Sequence, residues 1–353
     1  MPNKKITIQD IANELGISRN TVSKALNNTG VLAEATKSKI IQKAIDMGYK
    51  QFAYINTPYV PTDISKNKEI ALFTRSMPTG SHFGSDLLSG FEEKISNLGY
   101  KLSIYLIRDN ELLSSSLPSN FTPESIDGII CIEMFDKNYS KAICELNIPS
   151  LFIDSFANHG ETQLNADLLL MENYNTIYNV TKTLIKNNNT NIGFVGDIHH
   201  CQSFYERWQG YCSALLDSAI TINLKNSILE NDAEPYNNPE WLSNKIMQLP
   251  VLPQALICAN DFIALNVIKA LKHNNISIPN DILVCGFDDS KESKIIEPHL
   301  TTVNIPSYEM GDIAASLLLS RIENPSIPFR TMHVQTSVKF RESTGNIKLQ
   351  KID

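Results

Sequence analysis

Four polar side chains share one face of a short helical pattern near the amino terminus: Arg19, Asn20, Ser23 and Lys24. The opposite face is apolar and includes Val22 and Leu26. A guanidinium can donate two hydrogen bonds to one guanine, and a carboxamide can bond adenine in the same bidentate way. Arg19 and Asn20 are therefore chemically suited to read base edges in the major groove of DNA.

Two helices and a tight turn are predicted to position this face. Thr7 is the expected N-cap of the first helix, and Asp10 stands at its third position, where an acidic group complements the helix dipole. Gly16 ends that helix and Ser18 caps the second. This layout is a helix-turn-helix, whose second helix enters the major groove. A third helix over residues 34–47 is predicted to complete the core.

Short hydroxyl and amide side chains surround the polar face, and such groups suit phosphate contacts, which position a protein without reading sequence. They are Thr7, Ser18, Thr21, Ser23 and Asn27. Residues 1–60 hold eight basic and four acidic side chains, a net charge of +4, which leaves −11 for the rest of a chain whose total is −7. A positively charged N-terminal segment favours binding to a polyanion. Periodicity alone is equally typical of a plain three-helix bundle with a solvated face.

The stretch TIQDIANELGISRNTVSKALNNTG, which begins at Thr7, closely resembles the N-terminal module of the lac-repressor (LacI/GalR) family, and the match continues at Thr36 and at Gly48-Tyr49. The resemblance implies a double-stranded DNA operator as partner. It places base-reading roles on Arg19, Asn20 and Lys24. It places phosphate contacts on Thr7, Ser18, Thr21, Ser23, Asn27 and Thr36.

One family feature is missing from the segment that follows. The family usually has a hinge helix whose leucine wedges into the minor groove, and Pro58 stands at that position here. Proline also ends a helix. Phe52, Tyr54 or Ile55 could insert between base steps in its place, or could pack against protein, and the sequence leaves both roles open.

The chain is predicted to comprise a DNA-binding domain at residues 1–56, a linker at 57–68 and a larger domain at 69–353. In that domain, strand patterns alternate with helical patterns in two groups, which predicts two doubly wound α/β lobes with parallel sheets. The candidate strands are 70–74, 102–107, 128–132, 151–153, 192–195, 255–258 and 282–286.

This larger domain resembles the family's effector domain, which has the periplasmic-binding-protein fold. The matching segments are ALICANDFIALNVIKAL, IPNDILVCGFDDS and PHLTTV, in that order. The resemblance implies an effector between the lobes, expected to be a carbohydrate or sugar derivative. It carries five positions over to the effector site: Phe83, Asp154, Arg207, Asn260 and Asp288. Ile305 stands where the family can have a polar group, which predicts a less polar patch in the cleft.

Each effector position also has a purely structural interpretation. Asp154 and Asp288 could form turns, Asn260 could cap a helix, and Arg207 could pair with Glu206. A metal site built on His199, His200 and Glu206 is disfavoured, because adjacent histidines do not easily bind one ion and no further ligand follows at helical spacing. No metal and no cofactor are predicted.

The resemblance predicts a homodimeric transcription regulator, by family default a repressor, on a palindromic operator. A solute-binding protein without a gene-regulatory role is the alternative, and an enzyme is a third hypothesis. The sequence has no G-x-S-x-G, P-loop or G-x-G-x-x-G motif, which argues against an enzyme. It has no secretory signal pattern, no C-x-x-C pair and no long apolar run, which favours a cytoplasmic protein that does not enter a membrane.

Overall fold

The computed structural model describes residues 6–26, 32–47, 68–77, 82–158, 160, 164–345 and 347. The chain divides into two compact units, Met1–Asp63 and Ile64–Asp353. Asn27, Gly48, Tyr49 and the whole segment from Lys50 to Asn67 lie outside the described residues, and so do the three candidate wedge residues and Pro58.

The first unit holds three helices, α1 (Ile8–Leu15), α2 (Arg19–Leu26) and α3 (Glu34–Asp46). Thr7 and Asp10 form a reciprocal cap at the start of α1, and Gly16 ends the helix in the left-handed conformation at φ +66°. That φ favours glycine because it has no Cβ. The helices meet in a small apolar core of seven buried residues: Ile11, Ala12, Val22, Ala25, Leu26, Ile40 and Ala44.

The second unit alternates strands and helices. Its helices are α4 (His82–Ser96), α5 (Asp109–Ser114), α6 (Lys137–Glu145), α7 (Tyr174–Lys186), α8 (Gln202–Leu216), α9 (Pro239–Met247), α10 (Asp261–His273) and α11 (Ser307–Glu323). Its strands are β1 (Glu69–Thr74), β2 (Lys101–Leu106), β3 (Gly128–Ile132), β4 (Ser150–Ile153), β5 (Asp167–Met171), β6 (Ile192–Val195), β7 (Ala255–Cys258), β8 (Leu283–Cys285), β9 (Thr302–Asn304), β10 (Thr331–Val334) and β11 (Ser337–Lys339).

The strands form two parallel sheets, each the centre of one lobe. The first lobe has the order β10-β5-β4-β3-β1-β2, and the second has β6-β7-β8, while β9 and β11 pair antiparallel beside the second. Strands β3, β4, β6 and β7 are buried at every residue. Complete burial of this kind is typical of parallel strands covered by helices on both faces. The predicted fold class is therefore confirmed.

The chain passes between the two lobes three times. The connections run from β5 to α7, from β9 to α11, and from β10 to β11, since α11 packs on α4 and β10 lies in the first sheet. All seven predicted strands are present, with ends shifted by no more than one residue. Strands β5, β9, β10 and β11 were not predicted.

Candidate functional site

Helix α2 presents the predicted base-reading side chains to solvent. Arg19, Asn20 and Lys24 are exposed, whereas Val22 and Leu26 on the other side of the helix are buried. None of the three side chains forms a hydrogen bond or ion pair with another described residue. The guanidinium, carboxamide and ammonium groups are therefore all available to one ligand surface.

Two of the predicted phosphate-contacting side chains, those of Thr7 and Ser18, cap helices α1 and α2. The Thr7 hydroxyl lies 2.7 Å from Asp10 Oδ2, and Ser18 Oγ accepts a hydrogen bond of 3.1 Å from the backbone N–H of Thr21. The hydroxyls of Ser18 and Thr21 are 2.8 Å apart. Thr36 is exposed and Ser23 is half-buried. Their contact with phosphate remains a prediction.

A cavity of about 910 Å³ in the second unit is lined by all five predicted effector residues. They come from both lobes: Phe83 begins α4, Asp154 follows β4, Arg207 lies in α8, Asn260 follows β7 and Asp288 follows β8. The carboxyl ends of parallel strands are where open α/β sheets bind ligands, so the location fits the topology.

The guanidinium of Arg207 is fixed by hydrogen bonds from Nε and Nη1, whereas Nη2 is not bonded to the described protein. Its side chain is 3% exposed, Nε donates to Asn173 Oδ1 at 2.9 Å, and Nη1 donates to the carbonyl of Ala259 at 2.6 Å. The guanidinium lies 3.6 Å from the centre of the Phe287 ring. Within the described part of the chain Nη2 has no hydrogen-bond partner. A fixed planar donor therefore remains at the cavity wall.

The structural alternative for Arg207, a pair with Glu206, is not what the structure shows. The Glu206 carboxylate instead accepts hydrogen bonds of 3.0 Å from Asn173 Nδ2 and from Gln202 Nε2, and it lies 3.4 Å from His333 Nε2. Of the candidate metal residues, His200 pairs with Asp232 at 2.5 Å.

The two predicted carboxylates differ in their hydrogen bonding. Asp154 Oδ1 accepts from the backbone N–H groups of Ser155 and Ser203, at 2.7 and 3.2 Å. The carboxylate of Asp288 accepts no hydrogen bond from the described residues. Burial raises the pKa of both groups above the ordinary value of an aspartate, and for Asp288 the nearby Arg207 only partly opposes that rise. Asp288 is therefore the acceptor that a ligand can use.

Asn260 combines a structural role with a free group. Its Oδ1 accepts from the backbone N–H of Ile263 at 3.0 Å and caps α10, as the helix-cap interpretation predicts. Its Nδ2 donates to no described residue and can serve a ligand. The prediction for Ile305 is wrong, because this side chain is 4% exposed in the core and does not line the cavity.

Sequence reasoning missed several cavity residues. Glu133 follows β3 at the same sheet edge as Asp154, and Phe135, His200 and Phe204 form an aromatic wall. The position of Glu133 directly after an apolar strand was a usable signal. Asn173, which bonds Arg207, follows β5, a strand that was not predicted.

Comparison with known proteins places the chain in a family. The profile described as bacterial regulatory proteins, lacI family, matches residues 7–51, and that of a periplasmic binding protein-like domain matches residues 181–344. The probable HTH-type transcriptional repressor ExuR of Bacillus subtilis (strain 168) is 30% identical over 350 residues, which cover 97% of this chain and 99% of that protein. The chain belongs to the LacI family.

Solved structures of LacI-family regulators share the fold. A complex of the transcriptional regulator CelR with cellobiose has a TM-score of 0.67 at 20% identity and covers 96% of this chain and 100% of that one. The lac repressor dimer bound to operator and the anti-inducer ONPF has a TM-score of 0.66 at 20% identity, covering 97% and 99%. Across the residues that the structure describes in this LacI-family protein, no helix is long and apolar enough to cross a membrane.

Proposed function

We propose that this LacI-family protein is a sequence-specific transcriptional repressor whose affinity for double-stranded operator DNA depends on a small molecule in the interlobe cavity. The observation that carries the proposal is that Arg19, Asn20 and Lys24 are exposed on one face of α2. Their side chains form no hydrogen bond with other described residues. Arginine and asparagine on the second helix of a helix-turn-helix are suited to guanine and adenine.

Each predicted segment has its own proposed role. Residues 1–56 bind DNA, residues 57–68 link the two domains, and residues 69–353 bind the effector. Thr7, Ser18, Thr21, Ser23, Asn27 and Thr36 contact phosphates. Because helix-turn-helix proteins usually read two half-sites one helical turn apart, the protein acts as a homodimer on a palindromic operator. It acts in the cytoplasm and has no catalytic role.

The proposed effector is a carbohydrate or sugar derivative. Sugar hydroxyls need both donors and acceptors, and Arg207 Nη2, Asn260 Nδ2 and the Asp288 carboxylate supply them from the second lobe. Asp154 completes the polar wall, and Phe83 supplies an aromatic face. The effector changes operator affinity only by as much as it prefers one state of the sensing domain over the other.

Selection of bound sites from a random duplex DNA library, with the full chain, tests the DNA half of the proposal. We expect enrichment of a palindrome, and a loss of affinity of about a thousandfold between 50 and 200 mM salt, typical of several phosphate contacts. Failure to enrich any sequence would favour the solute-binding alternative. A thermal-shift screen against sugars tests the effector half, where Arg207→Ala should abolish each hit that the unaltered protein shows.

A further inference from the structure

More acidic than basic side chains line the interlobe cavity. Among them are Glu133, Asp154 and Asp288 beside Arg207; Asp154 and Arg207 are buried, and Glu133 and Asp288 are half-buried. Glu133 and Asp154 follow the paired strands β3 and β4, so the two carboxyl groups enter the cavity from neighbouring positions of one sheet. Asp288 enters from the opposite lobe. Three carboxyl groups thus converge on a space that one arginine serves.

The other cationic groups of the cavity are already paired or exposed. His200 Nδ1 bonds Asp232, and Arg75 bonds Asp109 Oδ1 at 2.6 Å. Lys269 is exposed to solvent. Two further acidic groups line the cavity: Asp261 and Glu292. The acidic side chains of the cavity lining therefore outnumber the basic ones, and two of the basic ones are already paired with residues outside the lining.

Two of the three carboxyl groups also lack hydrogen bonds. Neither Glu133 nor Asp288 accepts one from any residue in the described ranges. Partial burial raises the pKa of both, while His200 near Glu133 and Arg207 near Asp288 partly oppose the rise. An ionised carboxylate away from water is costly unless it is paired. A positively charged ligand group would therefore find two carboxyl groups without hydrogen bonds from the described residues.

The aromatic wall favours the same kind of ligand. The His200 ring lies between Phe135 and Phe204, with ring centres 4.9 and 4.8 Å away, and Phe83 belongs to the first lobe, as Phe135 does. Aromatic faces attract cations, and they also pack on sugar rings. An anionic ligand such as a uronate or a sugar phosphate would instead meet three carboxyl groups.

We propose that the effector is an amino sugar whose ammonium group lies between Glu133 and Asp288, while Arg207 Nη2 bonds one of its hydroxyls. This inference rests on the proposed function and narrows the class of its effector to positively charged sugars. Glu133 is then the residue that selects the amine. Arg207 and Asn260 serve the parts of the ligand that neutral sugars share.

Thermal denaturation of the full chain with charge-matched ligands tests the proposal. The probes are D-glucosamine, D-galactosamine and D-mannosamine. Each is compared with its neutral parent sugar and with two anions, the uronate and the 6-phosphate of that parent sugar. At ligand concentrations about a hundredfold above the dissociation constant, the melting temperature should rise measurably. We expect the shift for at least one amine, a smaller shift for its neutral parent, and none for the anions.

Variants and pH separate charge recognition from general binding. Glu133→Gln, which keeps the size of the side chain, should lower the preference for the amine over its neutral parent by about thirtyfold or more. Glu145→Gln makes the same change at an exposed position of α6 and should leave that preference intact. A bound ammonium group favours the ionised form of Glu133 and Asp288, whose pKa values are raised in the free protein, so binding of the protonated amine releases protons and its affinity should rise from pH 5 to 7.

Equal or stronger binding of the neutral parents or of the anions would overturn the inference, and so would the absence of a shift with every amine. The inference would also be overturned if Glu133→Gln left the preference for the amine unchanged, or if the affinity for the amine fell from pH 5 to 7. None of these results affects DNA selection by the full chain. The proposed function would fail separately, through failure to enrich an operator.

Discussion

Arg19 shows how a side chain can be assigned to recognition at the level of one residue. It is exposed on α2 and bonds no other described residue, so its removal should cost little in folding. A bidentate contact between arginine and guanine contributes about 1 to 3 kcal/mol of discrimination against a wrong base. Folding and recognition are therefore separable at this position.

Arg19→Ala should weaken binding to the selected operator by about 1 to 3 kcal/mol and blunt discrimination at one base pair, because the guanidinium is the group that reads that base. Fluorescence anisotropy with the operator and its single-base variants measures both effects. The control is Lys39→Ala, an exposed cation on α3 of the same unit. It should leave base preference unchanged. An unaltered base preference in Arg19→Ala would exclude a reading role.

At the level of elements, the connection from β5 to α7 fixes the arginine of the cavity. Asn173 precedes α7 and is fully buried. Its Nδ2 donates to the carbonyl of Met171 at 2.8 Å and to Glu206 at 3.0 Å, while Oδ1 accepts from Arg207 Nε. One side chain thus joins the interlobe connection to α8. Asn173 is a positioning residue for Arg207.

Asn173→Ala should lower the free energy of unfolding by about 1 to 3 kcal/mol, because it leaves the buried Nε–H of Arg207 without an acceptor. It should also weaken binding of a cavity ligand by about tenfold, since the guanidinium loses its orientation. Urea denaturation and ligand titration measure the two effects. Asn189→Ala, which removes hydrogen bonds near the end of α7, is the control.

The control should lose stability without losing ligand affinity. Equal losses of affinity in both variants would mean that Asn173 acts only through stability. An unchanged affinity in Asn173→Ala would mean that Arg207 is held well enough by the carbonyl of Ala259 and the Phe287 ring.

The elements that the sequence predicts well are those with a strong local pattern. Strands β6 and β7 are continuous apolar runs, and both were predicted at their observed ends. Strand β10 was not predicted, because three of its four residues are exposed and its pairing with β5 joins segments more than 150 residues apart. Glu133 and Asn173 were missed for a related reason. The residues that surround each of them in the fold come from distant parts of the chain.

At the level of the whole molecule, a buried ion cluster holds the last part of the chain to the first lobe. Asp167 of β5 is fully buried and lies 2.7 Å from Arg321 of α11 and 2.6 Å from Arg330, just before β10. Arg321 also donates to the carbonyls of Pro325 and Pro328. These contacts join β5, α11 and the start of β10, which lie next to the three connections between the lobes.

Asp167→Asn should destabilise the second unit by about 3 to 5 kcal/mol, because it leaves the buried Arg321 without its counter-ion. Urea unfolding at neutral pH measures the change. Asp312→Asn is the control, since Asp312 and Lys94 form a partly exposed pair at 2.9 Å, which should contribute no more than about 1 kcal/mol. Equal effects of the two substitutions would show that the cluster contributes no more than a surface pair.

The pH dependence of the same variant supplies an independent test. Burial alone would raise the pKa of Asp167, but hydrogen bonds from Arg321 and Arg330 outweigh it and lower the pKa below its ordinary value. A carboxylate with a lowered folded-state pKa stabilises fully above its unfolded value, about 3.9, and loses that stabilisation as pH falls through the folded value. The stability gap between the unaltered protein and Asp167→Asn should therefore be constant from pH 7 to about 5 and narrow below pH 4. A gap that stays constant down to pH 3 would mean that packing, and not charge, makes Asp167 important.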